Sequence, residues 1–158
     1  MKYSRFEELP VWQSASALAL RILTLGEKLA LRRRRSLRDQ IERATLSISN
    51  NIAEGFERGT TQELLTFLYI ARGSAGEVRS MLCLMEQMSA FGDLKCEISD
   101  FKSLSECISR QLGGWALKLQ DSPILGPRYL TSKVRQATQG RQEREAFLAE
   151  LRAVPRKG

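Results

Sequence analysis

Five arginines near the end of the first quarter of the chain form its densest group of charged side chains. They are Arg32, Arg33, Arg34, Arg35 and Arg38, in the stretch RRRRSLR. A guanidinium presents a planar fork of N–H donors that matches the oxygens of a phosphate group. Like charges at this density repel one another unless an anion lies nearby. The cluster therefore predicts a surface for nucleic-acid phosphates or for an acidic protein partner, with a merely solvated loop as the alternative.

A second concentration of positive charge lies near the end of the chain. Residues 126–158 hold eight Lys/Arg against three Glu, whereas residues 1–125 hold 17 Lys/Arg against 15 Asp/Glu. Contacts from such groups go to phosphates and to shape, which predicts weak sequence preference and strong salt dependence. The predicted nucleic-acid contacts are Arg32, Arg33, Arg34, Arg35, Arg38, Arg43, Arg58, Arg128, Lys133, Arg135, Arg141 and Arg144.

The residue types that most enzymes depend on are absent from the sequence or lack the required spacing. There is no histidine, which removes the commonest general base and metal ligand. The three cysteines, Cys83, Cys96 and Cys107, form no CxxC pair, so neither a zinc site nor a disulfide framework is predicted. We therefore predict a non-enzymatic protein with no cofactor, no metal and no small-molecule substrate. No apolar run reaches the length of a membrane span and no signal peptide precedes the first helix, which predicts a cytoplasmic protein without membrane contacts.

Apolar residues recur every three or four positions along most of the chain, the period of helices buried on one side. The predicted helices span residues 10–29, 36–59, 60–92 and about 100–120. Ser36 is the expected N-cap of the second helix, and Thr60 with Glu63 forms a capping box that opens the third. We expect Gly113 and Gly114 to kink the fourth helix or to admit a neighbouring backbone.

Four such helices joined by short connections predict an all-α fold, an antiparallel up-down-up-down four-helix bundle over residues 1–121. The stretch DSPILGPRY then interrupts the period with two prolines and a glycine. Residues 122–158 are therefore predicted to be a linker and a basic, partly helical C-terminal extension.

Small and polar residues interrupt the second and third helices on both sides of the turn that joins them. Folding these helices about Gly59 places Ser47 near Ser74, with small residues along both sides of the seam. Two glycines within the third helix cost about 1 kcal/mol each relative to alanine, and we expect close packing to offset that cost. Nearby amides and a carboxylate are expected to bond to a neighbouring helix or protomer, or, alternatively, to face water. The predicted assembly residues are Asn50, Asn51, Glu54, Gly55, Gly73, Ser74 and Gly76.

Three stretches of the sequence resemble one bacterial family. FEELPVWQSA at 6–15, QIERATLSISNNIAEGFERGTTQELLTFLYIARGSAGE at 40–77 and ISRQLGGW at 108–115 are similar to 23S rRNA intervening-sequence proteins. The resemblance covers roughly residues 6–120. It implies a small four-helix bundle that forms a homopentamer, with no established catalytic residues. It also includes a branch of accessory variability determinant proteins, basic pentamers that bind nucleic acid and partner the reverse transcriptase of diversity-generating retroelements.

The sequence departs from the pattern of that family in three places. Ser49 stands where members often have proline, the run Arg32 to Arg35 replaces mixed charges, and the chain continues beyond the fourth helix. The last two differences add positive charge and favour the retroelement branch. We therefore expect a homo-oligomeric scaffold that binds RNA or DNA and partners a reverse transcriptase. The alternative is a structural or protein-interaction bundle, encoded in an rRNA intervening sequence, that docks an acidic partner.

Overall fold

The computed structural model describes residues 3–121 and residue 144, and five helices lie between residues 3 and 121. These helices are α1 (Pro10–Gly26), α2 (Leu29–Arg32), α3 (Arg35–Glu57), α4 (Thr61–Gln87) and α5 (Lys95–Gln120). Short 3-10 segments, Phe6–Glu8 and Ser89–Leu94, precede α1 and connect α4 to α5.

The four long helices form the predicted up-down-up-down bundle, which confirms the all-α fold. Helix α3 packs against α1 and α4, and α5 packs against α4 and α1, so the helices surround one core. The pairing of residues across the α3–α4 groove shows that these helices are antiparallel: Ser47 meets Ser74, and Gly55 lies against Phe67. The extra helix, α2, is a single turn between α1 and α3.

The core consists of the apolar stripes that the helical period predicts. Their buried members include Leu18 and Ile22 of α1, Ile48 of α3, Leu68 of α4 and Ile108 of α5, all with an exposed fraction of 1% or less. Each of these side chains adds about 1.5–3 kcal/mol of hydrophobic stabilisation when it is fully buried. The bundle therefore has a continuous apolar centre.

The turn between α3 and α4 is closed by the predicted capping box. The backbone N–H of Glu63 donates to Thr60 Oγ1 at 3.2 Å, and the Thr60 hydroxyl donates to the Glu63 carboxylate at 2.7 Å. Near this turn Gly55 is required by close packing, because a Cβ there would lie 2.7 Å from Phe67 Cβ. The two helices are therefore in close contact beside the turn where the chain reverses.

Several predicted helix boundaries are wrong. Helix α1 ends at Gly26 rather than near Leu29, because Lys28 is extended (ψ 140°) and α2 begins after it. Helix α3 begins at Arg35, and its N-cap is Arg34 without a side-chain hydrogen bond, so Ser36 is not the cap.

The helix boundaries on both sides of the α4–α5 connection also differ from the predicted ones. Helix α4 ends at Gln87 because Met88 is extended (ψ 126°), and α5 begins at Lys95, earlier than the sequence predicts. Helix α5 continues through Gly113 and Gly114 without the expected kink. A Cβ added at Gly113 would meet the Arg72 guanidinium at 3.5 Å, an ordinary contact distance, so packing does not require glycine there.

Two of the predicted seam glycines are not in the seam. Gly73 and Gly76 are exposed, and a Cβ added at either would meet nothing within 4 Å. The physical reason is helical geometry: Gly73 follows the buried Ala71 by two residues, a rotation of about 200° that places it on the opposite side of α4. Close packing against α3 does not offset the cost of these two glycines.

The predicted domain boundary at 121/122 and the extension after it lie outside the described residues, apart from Arg144. That boundary remains a prediction. Within the described part of the chain, no helix combines the length and apolarity that crossing a membrane requires.

Candidate nucleic-acid interface

The arginine cluster lies at one end of the bundle, where α2 joins α1 to α3. Leu31 of α2 is fully buried, and Leu37 of α3 packs partly buried against the core. These two leucines fix the backbone on both sides of the arginines. The arginines between them are therefore held at a defined place rather than on a long free loop.

Three arginines of the cluster have no internal role in the described structure. The side chains of Arg32, Arg33 and Arg35 are exposed, and none forms an ion pair or hydrogen bond with another described residue. Each therefore keeps its donors free for an external anion.

Arg34 and Arg38, in contrast, are engaged by the fold. Arg34 donates through Nη1 to the carbonyl of Ala30 at 2.8 Å, and its guanidinium lies 5.4 Å from the centroid of the buried Phe91 ring. Arg38 donates to Asp39 Oδ1 at 3.3 Å, and its Nε lies 3.7 Å from Glu42. Of the five clustered arginines, these two stabilise the end of the bundle.

The Glu42 carboxylate that faces Arg38 lies directly against Gly26. A Cβ at Gly26 would overlap Glu42 Oε1 and would lie 3.5 Å from Arg38 Cδ. The buried glycine at the end of α1 therefore makes room for this ion pair.

The position of Arg35 works against the stability of α3. Arg35 is the first residue of that helix, and the first turn of α3 contains no acidic residue. A cation near a helix N-terminus interacts unfavourably with the helix dipole, by about 0.3–1 kcal/mol at exposed sites. The charge at this position thus costs stability instead of supporting the fold.

The structure does not gather every predicted contact at this end. Arg58 follows α3 at the opposite end, roughly 34 Å away at 1.5 Å per residue, where it pairs with Glu54 at 2.5 Å and lies over Phe67. Arg43 lies two turns along α3 and donates to Gln40 Oε1 at 2.6 Å. Arg144 is exposed. The remaining predicted contacts, Arg128, Lys133, Arg135 and Arg141, lie outside the described residues.

A surface cavity beside the arginine cluster was not predicted from the sequence. It has a volume of about 700 Å³ and lies between α2 and the 89–94 segment. Its lining consists of Lys28, Leu29, Ala30, Arg33, Arg34, Ala90, Asp93 and Leu94. Lys28 is paired with Glu97 at 2.5 Å. The proximity of Lys28 to Arg32 in the sequence could have indicated the basic side of this cavity. Only the fold brings residues 90–94 to the same place.

The predicted assembly residues are divided between the inside and the outside of the bundle. Ser74 bonds to Ser47 at 2.9 Å, as predicted, and Asn51 Nδ2 donates to the Ser47 carbonyl of its own helix at 2.7 Å. Asn50 and Glu54 are exposed. The role of these residues in assembly remains a prediction.

The comparison with protein families identifies the bundle. A family model described as 23S rRNA-intervening sequence protein matches residues 7–114. The chain belongs to this family. The family assignment confirms the resemblance given by the three sequence stretches, and no curated protein matches the chain significantly. In this 23S rRNA-intervening sequence protein the matched region includes the arginine cluster and both sides of the cavity.

Proposed function

We propose that this protein is a non-enzymatic, homo-oligomeric scaffold that binds RNA or DNA through the arginine end of its bundle. The observation that carries the proposal is a set of exposed arginines without a partner among the described residues, Arg32, Arg33 and Arg35. They are held between the buried Leu31 and the partly buried Leu37. Guanidinium groups in that condition bind phosphate oxygens without first breaking an internal ion pair. Affinity then arises mainly from counterion release.

The surface of the bundle supports assembly into a ring. Exposed large apolar side chains occur on the α1–α3 side, with Leu20 at 68% exposure, and on the opposite α4–α5 side, with Leu117 at 63% and Ile70 at 45%. Different apolar side chains on opposite sides favour head-to-tail contacts between copies, and such contacts form a ring where the rotation between copies closes.

The glycines of α4 fit the same proposal. Gly73 and Gly76 lie on the outside of α4, beside Tyr69 and Ile70, and nothing in their own chain approaches the position of a Cβ. Small residues on an exposed helix face let a second backbone approach closely. The pentameric number comes from the resemblance to the family. A ring presents each basic end several times to one polyanion.

The finer role that we propose is that of an accessory protein to a reverse transcriptase. The arginine cluster, together with the basic residues after 126, supports it by adding charge that a purely structural bundle does not need. An adjacent reverse transcriptase gene would support this role. A position inside a ribosomal RNA gene would instead support the structural alternative.

Mobility shifts with a structured RNA over a salt series test the binding function. We expect a shift at low salt and an affinity that falls steeply as salt increases. The absence of any shift at low salt would remove the proposal. A shift that is displaced by an acidic peptide at equal charge concentration would favour the alternative, in which the arginines dock an acidic protein.

A further inference from the structure

We propose that the cavity between α2 and the 89–94 segment receives one unstacked nucleotide of a single-stranded nucleic acid. This inference rests on the proposed function and names the form of nucleic acid that the arginine end prefers. The cavity, with a volume of about 700 Å³, lies in the range of small-molecule sites, about 300–1,000 Å³.

The cations of the cavity are placed to bind a phosphate at its rim. Arg33 is exposed and unpaired among the described residues. Arg34 is fixed by its hydrogen bond to the Ala30 carbonyl at 2.8 Å and by the Phe91 ring, so it loses little freedom on binding. Lys28 is neutralised by Glu97 at 2.5 Å. The unpaired positive charge is therefore concentrated on the α2–α3 side of the cavity.

The rest of the lining, apart from Asp93, is apolar and suits the face of a base. Leu29, Ala30, Ala90 and Leu94 line the cavity, and Leu29 is 61% exposed although it is a large apolar side chain. A planar base covers such a surface while its phosphate stays at the rim. Asp93, which also lines the cavity and has no ion-pair partner among the described residues, offers an acceptor for a base amino group.

An unpaired strand fits this arrangement better than a duplex or an acidic peptide. In a duplex the bases are stacked and paired, so only the phosphates reach a protein surface of this kind without base extrusion. The side chain of an acidic peptide carries a carboxylate but no planar surface to cover Leu29 and Leu94. Single strands are bound by combining phosphate contacts with contacts to the faces of the bases. In this cavity the apolar side chains of Leu29 and Leu94 take the place of the aromatic rings that usually cover a base.

Fluorescence anisotropy on the full-length protein tests the inference with two probes. One is a short, unstructured, fluorescein-labelled RNA, and the other is the same strand annealed to its complement. The informative pair of variants is Arg33→Ala and Arg35→Ala, because both remove one exposed arginine from the same cluster but only Arg33 lines the cavity. A third variant, Leu29→Ser, removes apolar lining without changing the charge.

We expect Arg33→Ala to weaken single-strand binding about tenfold, against about fourfold for Arg35→Ala, whereas both weaken duplex binding equally. We expect Leu29→Ser to weaken single-strand binding about fivefold, because it removes apolar surface that the base covers, and to leave duplex binding unchanged. Equal losses for the two arginine variants on both probes, with Leu29→Ser silent, would overturn the cavity site and leave the proposed function intact. Failure of the unmodified protein to bind either probe would overturn both. Displacement of the single strand by polyglutamate as effectively as by unlabelled strand would also overturn the nucleotide site.

Discussion

Replacing Arg32, Arg33 and Arg35 together by alanine tests whether these arginines contribute to nucleic-acid binding and not to the stability of the bundle. None of these side chains has a partner among the described residues, so their loss leaves no carboxylate unpaired in the bundle. Exposed substitutions of this kind change the free energy of unfolding by about 0.5 kcal/mol or less. Removal of the cation at the start of α3 raises it by about 0.3–1 kcal/mol. We therefore expect a protein as stable as the parent, or slightly more stable.

The same variant should bind a single-stranded RNA much less tightly. Each lost phosphate contact lowers the slope of log affinity against log salt by about 0.7 for a single strand, so three contacts lower it by about 2. At about 0.15 M salt the phosphate contacts alone correspond to about a fourfold loss each and about a 50-fold loss for all three, to which the cavity contact of Arg33 adds a further factor of about 2.5. Anisotropy titrations over a salt series measure both the affinity and the slope, and chemical denaturation measures stability.

A second triple variant serves as a matched control. Arg5, Arg21 and Arg110 are also exposed, but they pair with Glu7, Asp100 and Glu106 respectively. Changing these three to alanine removes the same net charge from other parts of the surface, and we expect the slope to fall by less than about 1. An unchanged slope in the first variant would refute the assignment of phosphate contacts to the cluster. Equal slopes in the two variants would mean that only net charge matters.

The remaining predictions concern the bundle and its surface. Gly55→Ala should lower the free energy of unfolding by about 1–3 kcal/mol, because its Cβ would overlap Phe67. Gly73→Ala, in open space, should raise it by about 1 kcal/mol under conditions that keep the protein monomeric. Denaturant titrations measure both changes. A stabilising Gly55→Ala together with a destabilising Gly73→Ala would contradict the packing described for these two glycines. Thr60→Ala should cost about 1 kcal/mol by loss of the helix cap, measured in the same way. Ile70→Asp should lower the mass measured in solution by light scattering, and an unchanged oligomer would exclude this face from the interface.

The sequence predicts the four long helices because burial on one side imposes a period that is visible without coordinates. The capping box at Thr60 and Glu63 is equally local, and the structure confirms it. The end of α1 at Gly26 is not predicted by the same periodicity. Leu25 and Leu29 are four residues apart, so the apolar period continues across the extended residue Lys28 and conceals the start of α2.

The five arginines look alike in sequence, and only the fold distinguishes them. Arg34 is directed to a ring that lies almost sixty residues away in the chain, Phe91, and Arg38 is directed to the carboxylate beside Gly26. The small size of Gly73 suits close packing and predicts a place in the seam, whereas its rotation around α4 places it outside. Local patterns thus predict the elements, while the pairing of distant residues decides which charges remain free.

Photocrosslinking of a 4-thiouridine-labelled RNA, mapped by mass spectrometry, tests the central claim most directly. The account predicts crosslinks to the arginine end, at residues 28–38 and 89–94. It predicts few at the opposite end of the bundle, where Phe6–Glu8 and the α3–α4 turn lie. Crosslinks concentrated at that opposite end, with none on α2 or the start of α3, would contradict it.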